Sequence, residues 1–315
     1  MKNRFRLHHL TFAAALLVAL PPAASAQVYR GRTQIDTTVR LDRGGAVDLS
    51  LISGRIRVTG WDRSDVRIVA SIDRGALRLD ANSSRVSLTV DESDDGKYGH
   101  HNVGEARYDV SVPRGARIIL EAVSGDITAT GSQGAIEASS VSGSVDVTAG
   151  VGEVSAESVS GEVHAAEING NLRAESVSGS VRVESVTGNV GASTVSGDIR
   201  LIGVKSKDVR TETVSGNIVY SGSLDPGGKY SFESHSGTLR LNIPRGAGAQ
   251  FSVETFSGDI TTDFPVTVPA GGSIRKEGRM EFTTGDGRAR VTAQTFSGRI
   301  VITSGSDSTT RRDDE

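Results

Sequence analysis

A five-residue phrase, Val-Ser-Gly-x-Val/Ile, recurs at a fixed step through the middle of this chain. It stands at Val123–Ile127, Val141–Val145, Val159–Val163, Val177–Val181, Val195–Ile199 and Val214–Ile218. The glycines fall at 125, 143, 161, 179, 197 and 216, in steps of 18, 18, 18, 18 and 19 residues. Self-similarity at a period near 20 residues is the mark of a solenoid, whose units bury their apolar side only by stacking. Within one unit, Val145 and Val147 alternate with Ser144, Asp146 and Thr148, and Val154 and Ala156 alternate with Glu153 and Ser155. Period two is the signature of strands. Each unit therefore holds two short strands, the second introduced by a weaker glycine at 134, 152, 170 or 188.

The fold class expected is all-β: a parallel β-solenoid, or β-helix, of 18–21-residue coils. Successive coils pair as parallel strands about 4.8 Å apart. The valines, those of the Val-Ser-Gly phrase such as Val159 and Val177 included, are placed in internal columns. An antiparallel sandwich is the competing arrangement, but hairpin sheets seldom hold one register through five steps. Aromatic residues are 4% of the chain, as a thin core of Val, Ile, Leu and Ala requires. Six of the eight Phe lie late, at 232, 251, 256, 264, 282 and 296, where the glycine spacing widens to 21 (216 to 237 to 258). That combination predicts a broader C-terminal end.

Four segments follow. Residues 1–26 read as a cleavable signal peptide, with Lys2, Arg4 and Arg6, the apolar run Leu10–Leu20, and Ala24-Ser25-Ala26 as the cleavage site. Residues 27–120 form a less regular β-rich capping region, containing an early copy of the phrase at Ile52–Ile56 and the lone tryptophan, Trp61, read as cap packing. Residues 121–302 are the solenoid repeats, and 303–315 a disordered polar tail. Pro113-Arg114-Gly115-Ala116 and Pro244-Arg245-Gly246-Ala247 each lead into a Ser-Gly-Asp-Ile, an internal duplication. The phrase returns at His235, Phe256 and Phe296, and a worn copy at Glu277–Met280 keeps the spacing between the last two.

The leader, Gly60-Trp61-Asp62, Val112-Pro113-Arg114-Gly115-Ala116 and the run of Val-Ser-Gly phrases together resemble the bacterial "putative adhesin" family, a domain-of-unknown-function group of envelope-associated β-solenoid proteins. The resemblance covers nearly all of 27–302. It implies a β-solenoid and an envelope location, in some members beside stress-response regulators. It implies no activity and supplies no catalytic residues.

The chain has no cysteine, which excludes disulfides and thiolate metal sites. Loss of Lys2, Arg4 and Arg6 with the leader takes the formal net charge from −3 to −6, and no basic run follows. That argues against nucleic acid as a partner. Ser273-Ile274-Arg275-Lys276 matches an acylating Ser-x-x-Lys but lacks the Ser-Asp-Asn and Lys-Thr-Gly that such chemistry needs. Asp91–Gly96 opens like a calcium loop, yet its twelfth position is Asn102, and it reads as a solvated acidic hairpin tip. No catalytic, cofactor-binding or metal residue is assigned.

The function expected is that of a non-catalytic, exported envelope protein, an adhesin-like scaffold binding an envelope or surface glycan or protein, with no membrane span. The alternatives are a polysaccharide-active enzyme on a parallel β-helix and an accessory of envelope-stress signalling. An active site, if the chain has one, is expected in the 91–105 loop, with Asp94, Asp95, His100 and His101, or beyond residue 220. Within the repeats, ionisable residues are spread along columns, His164 and Arg182 each standing alone.

Overall fold

The computed structural model describes residues 25–30, 33–91, 103–265 and 278–305. Residues 1–24 of the expected leader, the acidic stretch beyond Asp91 with Asp94, Asp95, His100 and His101, and Ser273–Lys276 lie outside them. All regular structure in the described residues is β, in 25 strands. No helix there is long and apolar enough to cross a membrane.

The solenoid is as the periodicity requires. The type unit contributes β10 (Val145–Thr148) and β11 (Val154–Ser158), and the next contributes β12 (Val163–Ala166) and β13 (Leu172–Ser176). β10 pairs in parallel with β12 at a register of 18, Val145 opposite Val163, and β11 pairs likewise with β13, Val154 opposite Leu172. The two stacks continue upward through β14 (Val181–Glu184), β16 (Ile199–Val204), β18 (Ile218–Gly222) and β20 (Leu239–Pro244), and through β15 (Val190–Thr194), β17 (Asp208–Ser215) and β19 (Lys229–Ser236). Below, they continue into β8 (Arg117–Thr130) and β9 (Ile136–Ser140). Val145, Val147, Val154 and Ala156 are all buried, each at 1% exposure or less. Toward the C-terminus Tyr220, Tyr230, Phe232, Phe251 and Phe282 enter the core, whereas Phe256 and Phe296 of the same late group are exposed.

Both ends are finished by chain that runs out and doubles back. β3 (Ala46–Trp61) is one whole coil, with β8 stacked on one side and β6 (Arg85–Asp91) and β7 (Ala106–Pro113) on the other. β4 (Asp65–Ile72) and β2 (Thr33–Arg40) then add antiparallel strands beyond β7, and β5 (Ala76–Ala81) and β1 (Ser25–Arg30) beyond β6. At the other end β21 (Ala249–Ser257) and β22 (Ile260–Thr262) are displaced outward. β24 (Ala289–Ser297) and β25 (Ile300–Gly305) insert between them and β19 and β20. Gly237 therefore neighbours Gly298, not Gly258 as the 21-residue spacing implied. The worn copy at 277–280 is no coil: β23 (Arg279–Thr284) pairs antiparallel with β21.

One expectation fails. The valines of the Val-Ser-Gly phrase are not in the core: Val123, Val141, Val159, Val177, Val195 and Val214 are 43–49% exposed. The residue before each is the buried one. Ser140, Ser158, Ser176 and Thr194 turn their hydroxyls inward and donate to the glycine carbonyl of the preceding coil at 2.9–3.0 Å. The first three also accept from the amide of the glycine three residues on, at 2.9 Å. These paired bonds close a corner at which two successive residues, valine and serine, face outward, so strict alternation breaks there.

The glycine of the corner is required by contact rather than by dihedral angle. A Cβ on Gly161 would stand 1.9 Å from the carbonyl oxygen of Gly143, and Gly143 has the same relation to Gly125. At the opposite corner the residue is left-handed in successive coils, at Gly131, Ala149, Glu167, Ser185 and Gly203, with φ between 54° and 74°. Three coils accept a side chain in that conformation, which L-residues rarely adopt.

Candidate interaction surfaces

The outward side of the β10–β12–β14–β16 stack is a polar sheet face. Asp146, His164, Arg182 and Arg200 stand in one column, aligned coil by coil. His164 and Arg182 are not alone, contrary to the expectation from sequence. Nδ1 of His164 lies 2.8 Å from an Asp146 carboxylate oxygen, and the guanidinium of Arg182 lies 3.0 Å from Glu162 and 3.9 Å from Glu184. Asp146 and Glu162 sit one coil away, a separation that linear sequence does not display, while Glu184 lies two residues along the same strand as Arg182.

On the opposite stack Glu157 is paired in register with Glu175, as column arithmetic requires. Arg173 lies 2.7 Å from Glu175 and 3.8 Å from Glu157, so one cation serves two acids. Exposed pairs of this kind add little stability, typically below about 1 kcal/mol. Their consequence is a face with both signs of charge distributed evenly. Between the stacks, Asp126 accepts from the amide and hydroxyl of Ser144, and Asp198 from Asn217, which in turn accepts from the Thr238 amide. Carboxylates there bind the next coil's backbone.

Concave surface lies at the N-terminal cap. The Gly60-Trp61-Asp62 and Pro113–Ala116 segments, remote in sequence, meet around an open cleft of about 1140 Å³. Trp61 is half-buried, donates from Nε1 to the Asp65 carbonyl at 2.8 Å, and carries the Arg63 guanidinium 4.9 Å from its ring centre. Nε of Arg114 donates to Asp62 at 2.8 Å. Expected as cap packing, Trp61 stands outside the buried core and lines this cleft. Among the described residues no group of three or more His, Asp or Glu is placed to hold a metal ion.

The corner valines form a continuous outward ladder. Register places Ile52 beside Val123 at its base and His235 beside Val214 higher up, followed by Phe296 and Phe256. The three rings stack face to face, His235 on Phe296 at 4.9 Å and Phe296 on Phe256 at 4.8 Å, with interplanar angles of 5° and 6°. Phe256 is 79% exposed. Neither this ladder nor the buried hydroxyl column was read from the sequence. Both were present in it as a Ser/Thr-Val-Ser-Gly phrase with an unvarying Ser or Thr at 140, 158, 176, 194 and 213.

Residues 46–303 match the Toastrack DUF4097 family profile. The chain belongs to the Toastrack DUF4097 family. No curated protein matches this Toastrack sequence. Among solved structures it is similar to a putative adhesin from Bacteroides fragilis, at 13% identity and a TM-score of 0.39, over 87% of this chain and 98% of that one. A putative cell adhesion protein from Clostridium sporogenes is similar at 12% identity and a TM-score of 0.24, over 87% and 100%. A putative lipid binding protein from Parabacteroides distasonis gives 11% and 0.32, over 86% and 97%. None of these likenesses is close enough to carry a functional conclusion to the Toastrack chain.

Proposed function

We propose that this Toastrack protein is a non-catalytic, exported cell-envelope protein that presents flat polar solenoid faces to a surface glycan or another protein. The observation that supports this reading is the unbroken register from β8 to β16. It leaves no insertion to wall a cleft, and it pairs ionisable side chains along columns instead of gathering them at one point. Enzymes on solenoids need the opposite, long turns that enclose a pocket and bring acid and base together.

The cleft beside Trp61 is the feature that favours the alternative of a polysaccharide-active enzyme, since Asp42, Asp62 and Asp65 line it. One experiment separates the two. The purified protein is incubated with a panel of envelope and host polysaccharides and with envelope protein extracts, and both retention and reducing-end release are measured. Saturable retention without release, weakened by Arg182→Ala or Arg173→Ala, is expected. Release of reducing ends that disappears in Asp62→Asn or Asp65→Asn overturns the proposal. Export through the leader is tested separately by N-terminal sequencing of the envelope fraction, which should begin at Gln27.

A further inference from the structure

The corner ladder is anomalous among the outward columns of the repeats. The column of Val151 continues through Asn169, Thr187 and Lys205, and that of Ile202 is preceded by Thr148, Ala166 and Glu184. Neither repeats a large apolar residue. Only the corner does so in every coil of the 18-residue repeat, and then exchanges valine for stacked rings. Core packing cannot account for these side chains, because the hydroxyl of the preceding residue occupies the inward position. An apolar stripe of this length on a polar solenoid marks a contact surface.

We infer that the ladder is the interface of a side-by-side homodimer, in which the same stripe of a second copy lies against it. Two observations select a second copy. The stripe repeats at the spacing of paired parallel strands, about 4.8 Å, and another copy offers apolar groups at that spacing along its whole length. Its area is also adequate. With six valines 43–49% exposed and two phenylalanines 79% and 49% exposed, full areas of about 150 and 200 Å² per residue leave roughly 700 Å² on each copy. A pair would bury about 1,400 Å², within the ~1,200–2,000 Å² of specific protein interfaces.

Charge then selects the arrangement. One flank of the ladder is mainly acidic, with Glu121, Glu157, Glu175, Glu212, Glu233 and Glu254 against Ser139 and Ser193, while the residue next to the ladder on the other is serine, at 124, 142, 160, 178, 196 and 215, with Asp126, Glu162 and Asp198 farther off beyond the corner glycine. A twofold axis running along the stack sets each acidic flank opposite the partner's serine flank. A twofold axis across the stack would set acid against acid, which costs affinity where water is excluded. The copies therefore run parallel, coil facing its own equivalent.

The test combines sedimentation with site-specific cross-linking. The wild-type protein should sediment as a dimer at about 100 µM and dissociate on dilution. Two variants, Val141→Ser/Val159→Ser/Val177→Ser and Phe256→Ser/Phe296→Ser, should each weaken the dimer by at least about 100-fold. Their circular dichroism should stay unchanged. Because the chain has no cysteine, single Val141→Cys and Phe296→Cys proteins report orientation through a short bismaleimide. Each should cross-link to itself, since the parallel arrangement brings both ends of the ladder onto their equivalents. A wild-type protein that stays monomeric at about 100 µM overturns the inference. So does a dimer indifferent to both serine variants, or a dimer that cross-links at neither cysteine. Binding of the monomer to phosphatidylcholine vesicles, lost in the serine variants, would assign the stripe to lipid and overturn it equally.

Discussion

Replacing Gly161 by alanine tests the stacking geometry at its tightest point. The new methyl carbon would lie 1.9 Å from the Gly143 carbonyl oxygen, 2.4 Å from its carbon and 2.9 Å from the Ser144 nitrogen. All three are backbone atoms of the adjacent coil, so no side-chain rotation relieves the contact. The coils must part by about 1 Å or more to restore van der Waals separation. Four hydrogen bonds cross or close that step. Ser158 donates to Gly143 and accepts from Gly161, Ser160 donates to Val141, and Val145 donates to Glu162, all at 2.9–3.0 Å. At roughly 0.5–1.5 kcal/mol each, their loss or lengthening amounts to about 2–6 kcal/mol. For a chain of this size that corresponds to a fall in Tm of about 4–20 °C. Gly191 is the control within the same repeats. It lies in β15, and a Cβ there meets nothing nearer than the Leu172 carbonyl at 3.9 Å. Gly191→Ala should stabilise by roughly 0.5–1 kcal/mol through the unfolded chain. Both are measured by urea unfolding followed by far-ultraviolet circular dichroism. A Gly161→Ala protein within about 0.5 kcal/mol of wild type would refute the close approach of the coils.

The corner and the core respond differently to charge. Val147→Asp, at a fully buried position, should cost about 3–5 kcal/mol, whereas Val159→Asp, at 43% exposure, should cost under about 1 kcal/mol; equal losses in urea unfolding would contradict the outward valine. Ser158→Ala should cost about 1–3 kcal/mol, because it strands both the Gly143 carbonyl and the Gly161 amide. Thr295→Val should cost little by the same assay, since the Thr295 hydroxyl is buried without a partner. Burial pushes the phenols of Tyr108 and Tyr220 above the ordinary tyrosine range, with Tyr230 adding to the effect on Tyr220, and burial likewise raises Tyr230. A raised folded pKa means the neutral phenol contributes stability that is complete below the unfolded value of about 10 and lost as pH rises through and beyond it. The urea midpoint should hold between about pH 7 and 9 and fall above about pH 10; a midpoint unchanged to about pH 12 would remove these tyrosines from the core.

The candidate surfaces were legible in the sequence to unequal degrees. Spacing alone aligned Glu157 with Glu175 and put Arg173 on their side of the strand, because a coil length of 18 residues converts sequence distance directly into vertical neighbours. The same arithmetic, applied to the position before each valine, would have shown the buried hydroxyls. The Trp61 cleft was not legible, since Trp61 and Arg114 lie in segments whose meeting depends on how β3 and β7 stack.

Periodicity by itself determined the coil length, the parallel register and the identity of the thin core in the strands. Each of these follows from repetition plus the two-residue alternation of extended chain, with the adjacent coil as the one partner needed. Which way the corner valines face, and the order of coils at the two ends, were decided only by tertiary structure. At the corner a serine hydroxyl bonded to two coils outcompetes valine for the interior, because an unbonded buried glycine amide and carbonyl would cost more than a half-exposed isopropyl group. At the C-terminus β24 enters between β19 and β21, where it gains a parallel partner on both sides, and the antiparallel β23 is left as the outer strand. Strands of nearly equal pattern are interchangeable in sequence, and the number of backbone partners each position offers decides among them.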